Sequence, residues 1–162
     1  MSDLSPLTDE LVAFLEGGRS LTVASRDAAL RPTLAKAVAA CVAADRSSIT
    51  VLLPRSQSLQ LLRDVAASGQ IAAVFSQPGS HRTVQLKGND AREVAASVED
   101  RLQLERQRGQ LVEELTAFGY PVAMLEAFLD CRADDLAAIR FTPQAAYNQT
   151  PGPKAGTRLG EA

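Results

Sequence analysis

The chain has 162 residues, 46% of them hydrophobic and 22% charged, with a formal net charge of -2 at pH 7. That composition belongs to a folded protein able to bury a sizeable core, and it lacks the basic excess of a protein whose main task is binding nucleic acid or an anionic membrane. No apolar run approaches the roughly 20 residues of a membrane span, and the start MSDLSPLTDE lacks the basic and apolar segments of a signal peptide, so the expected compartment is the cytoplasm.

Residues 8–17, TDELVAFLEG, predict a helix: Thr8 can cap it, Leu11, Val12, Phe14 and Leu15 form an apolar stripe, and Gly17 and Gly18 end it. SLTVAS (20–25) alternates like a strand, RDAAL turns, and Pro32 opens TLAKAVAACVA (33–43). The length of that alanine-rich run suits a helix, but its flanks suit a hairpin partner, and it is read as a strand. DRSS (45–48) is a turn, ITVLL (49–53) is a continuously apolar strand, and Pro54 stops it. SQSLQLLRDVAASG (56–69) predicts a helix with Leu59, Leu62, Val65 and Ala66 on one face and Gly69 as its cap. IAAVFS and HRTVQLKG are two strands joined by the turn QPGS.

Residues 91–118 carry helical periodicity with many charges, among them Arg92, Glu93, Glu99, Asp100, Arg101, Glu105 and Arg106. They predict a solvated amphipathic helix interrupted near Gly109. Gly119-Tyr120-Pro121 breaks it again, VAMLEAFLD (122–130) is a short helix, and DLAAIRFT (135–142) is the final strand. The tail YNQTPGPKAGTRLG (147–160) has little period. With no repeat and no linker, residues 1–162 are read as a single domain, its barrel core at about 20–89 and 134–149 and a helical insert at about 91–130. Sequential strands with short turns and helices around them predict an α+β fold built on an antiparallel sheet or barrel. Strict strand–helix alternation is absent, so a doubly wound fold is not expected, and no glycine-rich nucleotide loop occurs.

Few residues carry chemistry outright. Cys41 and Cys131 are far apart and form no CxxC, so both are expected as reduced, packed thiols. One histidine, His81, excludes a histidine-based metal cluster, and no metal site is expected; it is read as a surface or loop residue. The strand HRTVQLKG is more informative. Alternation sends Arg82, Val84 and Leu86 to one face and Thr83, Gln85 and Lys87 to the other. A polar stripe beside the apolar IAAVF meets either water or a ligand.

A hairpin ending in Arg31-Pro32, a strand, ITVLL followed at once by a serine-rich helix start, then IAAVFSQP and HRTVQLKG: this order resembles the FMN-binding split barrel of the pyridoxamine 5'-phosphate oxidase-like family over roughly residues 20–89. FTPQAAYNQTPGPKAG (141–156) is similar to the end of one bacterial branch of that group. The resemblance implies an antiparallel split β-barrel with flanking helices, FMN as cofactor, and a homodimer with the flavins at the subunit interface. It nominates Arg55, Ser56 and Ser58, in LLPRSQS, for the FMN phosphate, at a helix start whose free N–H groups suit an anion. Gln57 and Ser58 stand where the family often has an Arg-Lys pair. Anchored on Gly88, Arg82 matches the family arginine and Thr83 falls at a flavin-contacting position, with Gln85 and Lys87 on the same face as Thr83. Lys36 and Ala37 are nominated from the second strand, and Tyr147 with the QTPGP tail is placed to close over a neighbouring subunit.

The implied function is an FMN-binding flavoprotein, an oxidoreductase on a small substrate that the sequence does not identify. No acid–base pair stands out near the nominated positions, which suits chemistry carried by the cofactor alone. The absent Arg-Lys pair and absent tryptophan speak against pyridoxamine 5'-phosphate oxidase activity itself. Bland readings exist for each residue: Ser56 and Ser58 as helix caps, Arg55 as a surface arginine, and Thr83, Gln85 and Lys87 as the wet face of an edge strand. They define two alternatives on the same barrel. One is a non-enzymatic module for a flavin, heme or other flat ligand, with His81 the natural iron ligand. The other is a cofactor-free structural protein.

Overall fold

The structure, a computed structural model, describes residues 7–160, so the reading of the first six residues lies outside it. In chain order it has helix α1 (Asp9–Leu15), strands β1 (Ser20–Arg26), β2 (Pro32–Ala37), β3 (Ala39–Val42) and β4 (Ile49–Pro54), and helix α2 (Leu59–Ser68). Strands β5 (Ile71–Ser76), β6 (Thr83–Gly88) and β7 (Arg92–Val94), helices α3 (Val98–Thr116) and α4 (Val122–Phe128), and strands β8 (Leu136–Phe141) and β9 (Ala145–Asn148) follow. The strands form two antiparallel sheets, ordered β2-β1-β5-β6-β9 and β3-β4-β8-β7. This is the expected α+β split-barrel arrangement with flanking helices. Among the described residues, no helix is long and apolar enough to cross a membrane.

Local chemistry explains most of the elements. Thr8 accepts a hydrogen bond from the Leu11 amide (3.2 Å), which caps α1 and seats Phe14 and Leu15 in the core. The alanine-rich run forms strand on both sides of Val38, where it changes sheet, and ends as strand at Val42. Ala37 pairs with Leu21 in one sheet, Ala39 pairs with Leu52 in the other, and the Val38 amide donates to the Leu52 carbonyl (2.8 Å). Small residues suit that crossing: Ala35, Ala37, Ala39 and Ala40 are all buried where the two sheets converge. β4 is buried at every position, which accounts for its uninterrupted apolar run.

Several expectations are corrected in detail. The buried face of α2 carries Leu61, Leu62, Asp64 and Val65, whereas Leu59 and Ala66 are exposed. A short 3-10 helix at Arg55–Gln57 precedes α2 and turns Ser58 inward, so the buried stripe runs 58, 61, 62, 65. Arg92 and Glu93 belong to edge strand β7, not to a helix, and α3 begins only at Val98 behind a capping box of Ser97 and Asp100. α3 then runs unbroken through Gly109, which faces open space. Its buried stripe is Asp100, Leu104, Gln107 and Leu111, and its other charges are solvated as expected. The tail contributes a ninth strand, β9, on the outer side of β6.

Two glycines are structurally required. Gly69 ends α2 in the left-handed conformation (φ 65°). Gly88 closes β6 where a Cβ would come within 2.8 Å of the Phe141 ring and 2.9 Å of the Thr142 carbonyl oxygen. Both cysteines are free and pack beside Ala39, Leu52, Leu104 and Ala138. Burial pushes the Cys131 thiol up to about 11, with Asp135 and Asp130 adding to it, and burial followed by the Asp100 side chain pushes Cys41 up as well.

Candidate functional site

The nominated residues fall into two groups. The first sits where β4 runs into α2. Pro54 pairs with Leu136, which sets Arg55 and Ser56 beside the short 3-10 helix Ala133–Asp135 that leads into β8. Asp135 takes both donors of Ser56: the amide donates to Oδ1 (2.8 Å) and the hydroxyl to Oδ2 (2.6 Å). Arg55 forms an ion pair and hydrogen bond with Glu93 of β7, and that contact holds the guanidinium above its ordinary pKa. Ser58 is different. It is 2% exposed, makes no capping bond although it occupies the N-cap position of α2, and its hydroxyl has no hydrogen-bond partner among the described residues.

The second group lies on the outer face of the five-stranded sheet. The register aligns Lys36, Thr22, Val74, Gln85 and Tyr147 in one row across five strands. The next row is Leu34, Ala24, Ala72, Lys87 and Ala145. Beyond the first row, Ser20, Ser76 and Thr83 align, with the Ser76 and Thr83 hydroxyls 2.9 Å apart. The predicted alternation of β6 therefore holds, with Val84 and Leu86 buried and Thr83, Gln85 and Lys87 turned outward. None of the outward positions on these strands is buried, and none is a carboxylate; the charged residues there are Arg26, Lys36 and Lys87.

Lys36 is half-buried, donates to the Ser20 hydroxyl (2.6 Å), and burial holds its pKa below the ordinary lysine value. The Lys87 ammonium lies 5.1 Å from the centre of the Tyr147 ring. At the β1–β2 hairpin end, the face deepens into a groove of about 310 Å³ with Arg26, Leu30, Pro32, Ala72 and Lys87 among its walls.

Other nominated positions are engaged elsewhere. Arg82 turns to α1, pairing with Glu10 (2.9 Å) and lying over the Phe14 ring at 4.5 Å. Ala37 is buried in the core. His81 is exposed at the tip of the β5–β6 connection in a left-handed conformation (φ 58°). The QTPGP segment pairs with its own β6: the Gln149 amide donates to the Thr83 carbonyl (2.8 Å), and the Thr83 amide donates to the Thr150 hydroxyl (3.0 Å). No hydrogen bond or ion pair among the described residues joins the β4–α2 group to the sheet-face group. The residues that sequence reasoning missed are Asp135 and, in this role, Glu93. Each lies tens of positions from its partner, and only the pairing of β4 and β7 with β8 brings them in.

No family model matches the chain, and no curated protein matches it in sequence. Solved structures match it in fold. A Lactobacillus delbrueckii protein named provisionally as a pyridoxamine 5'-phosphate oxidase superposes with a TM-score of 0.55 at 14% identity, over 91% of this chain and 99% of that one. The General Stress Protein 26 of Bacillus anthracis gives 0.51 at 11% identity, over 91% and 94% of the two chains. HupZ of Group A Streptococcus gives 0.51 at 14% identity, over 92% and 98%. At these identities the likeness is one of fold. The chain has the pyridoxamine 5'-phosphate oxidase-like split-barrel fold.

Proposed function

We propose that this chain is a flavin-binding protein that works as a pair of subunits and carries out redox chemistry on a small substrate. The observation that carries the reading is the outer face of the five-stranded sheet. It combines small side chains at its centre (Thr22, Ala24, Ala72, Val74) with Thr83, Gln85 and the half-buried Lys36, and it holds no carboxylate. A flat aromatic ring system with polar edges suits such a surface, since apolar area accepts the ring and a few placed donors fix its orientation. FMN is the flavin that the sequence resemblance implies.

Each group of residues has a part in this reading. Lys36 favours negative charge on a ligand lying against the sheet, because burial makes its ammonium short of solvent. Gln85 and Thr83 offer hydrogen bonds to a ring edge. A bound flavin supplies the electron chemistry, and the chain supplies position and exclusion of water. A second copy across the outer face fits the separation of the two residue groups within one chain, since one subunit would then complete the site of the other.

The test is a visible absorption spectrum of purified protein after incubation with excess flavin and desalting, read beside its sedimentation. The reading expects a retained flavin spectrum at close to one per subunit and the mass of a dimer. Protein that emerges colourless from both FMN and riboflavin would sink it and leave the outer face as a wet sheet surface.

A further inference from the structure

We propose that Glu93 and Asp135 set the ligand specificity of the β4–α2 site by occupying the donors a terminal phosphate would need, so that the chain takes a flavin ending in a hydroxyl group, as riboflavin does, in preference to FMN. This rests on the flavin reading above and deepens it. The donors in question are the Arg55 guanidinium and the Ser56 amide and hydroxyl. Glu93 holds the first, and the two oxygens of Asp135 hold the other two at 2.8 and 2.6 Å. That is how two edges of a phosphate would be gripped, with carboxylates of the chain standing in the phosphate's place.

Both carboxylates are carried by paired backbone. Glu93 lies opposite Ile139 in the β7–β8 ladder, and Asp135 immediately precedes Leu136, which pairs with Pro54. That pairing anchors the two carboxylate-bearing residues beside Arg55 and Ser56. A phosphate dianion entering there must displace them and then remain beside them, and no lysine replaces the lost compensation: position 58 is a buried serine. A hydroxyl meets the opposite situation. It is neutral, and it donates to a carboxylate. Charge and hydrogen-bonding capacity agree on the same ligand end.

Riboflavin and FMN share the ring and the ribityl chain and differ only in the phosphate, so they isolate this site. Equilibrium dialysis of both against the full chain, the single variants Glu93→Gln and Asp135→Asn, and the double variant gives four pairs of affinities. The expected result is wild-type protein that binds riboflavin at least as tightly as FMN. The double variant should gain about tenfold in FMN affinity while riboflavin affinity stays level or falls, since two like charges have been removed from beside the phosphate. Wild-type protein that prefers FMN, or a double variant whose FMN affinity does not rise, overturns the proposal. Protein that binds neither flavin overturns it by a different route, because the flavin reading itself then fails. Asp135→Asn removes a contact that fastens β4 to β8, so circular dichroism accompanies each variant. The exposed Glu93→Gln keeps the test decisive on its own: it must shift the FMN-to-riboflavin ratio toward FMN.

Discussion

The open edge of the four-stranded sheet and the outer face of the five-stranded sheet both present polar groups beside small apolar side chains, yet only the edge is covered by its own chain. At β3, Gln107 of α3 reaches the backbone of Ala40 twice, donating to its carbonyl (2.6 Å) and accepting from its amide (3.0 Å). Glu16, just past α1, accepts from the Val42 amide (2.9 Å). Side chains thus take the place of a missing strand along that edge, which removes it as a template for pairing. On the outer face, Lys36 has one hydroxyl for a partner, Leu34 stands 64% exposed, and no carboxylate balances the three cations. Where a surface of the fold needed only stability, internal hydrogen bonds finish it. On the second surface the groups are left to solvent or to a ligand, and it is the face on which flavin binding is proposed.

The sharpest way to break that contrast is at Gln107. Gln107→Leu removes both bonds and leaves the Ala40 amide and carbonyl buried without partners. The expected loss is about 2–4 kcal/mol of folding stability, read by urea denaturation with the midpoint falling at unchanged slope. A loss well under 1 kcal/mol would mean that water satisfies the β3 edge, and the two surfaces would then differ less than the hydrogen bonds indicate.

Val74→Glu moves the other side of the comparison. It sets a carboxylate in the middle of the acid-free face, in the row that runs from Lys36 to Gln85. Because Val74 is only partly buried, folding stability should change by about 1 kcal/mol or less. Flavin affinity should fall by about tenfold or more, and sedimentation should move from dimer toward monomer. Stability lost without either change would show the face to be part of the core architecture and not a binding surface.

Lys36 sharpens the same point through pH. Burial lowers its folded-state pKa below 10.5, so the unfolded chain binds this proton more tightly. The group therefore weighs against folding at neutral pH, and that cost is relieved as pH rises through the lowered pKa toward 10.5. Lys36→Met should leave stability at pH 7 equal or higher, remove the gain seen between neutral pH and pH 10, and weaken flavin binding. A variant that is less stable at pH 7 and binds flavin unchanged would assign Lys36 to the fold through its Ser20 bond.

How far the sequence alone reached depends on whether a feature is local. β4 was legible because burial on both faces leaves an unbroken apolar run, and α1 because Thr8 and its stripe lie within about two turns of each other. The outward stripe of β6 was legible from alternation alone. β7 was not: three residues with two charges, at a sheet edge, look like the start of the charged helix that follows. The sheet change at Val38 left no mark in an alanine run, because both sheets ask for the same small residue there. The partners of Arg55 and Ser56 were out of reach for a related reason. Glu93 and Asp135 are ordinary charged residues in their own neighbourhoods, and they acquire a role only when β8 pairs with β4 on one side and β7 on the other.

Gly109 gives the smallest effect and a direct check on one place where pattern and structure part. A glycine in a charged, weakly amphipathic stretch reads as a break, since it costs a helix interior about 1 kcal/mol relative to alanine. In the fold α3 continues through it, because Leu104, Gln107 and Leu111 pin the helix on both sides while position 109 itself faces open space. A Cβ added there meets no atom within 4 Å. Gly109→Ala should therefore raise stability by about 0.5–1 kcal/mol through helix propensity alone, with flavin binding untouched. If alanine gained nothing, residues 98–116 would not be one continuous helix, and the hold of Gln107 on the β3 edge, which depends on that helix staying whole, would be the next contact to doubt.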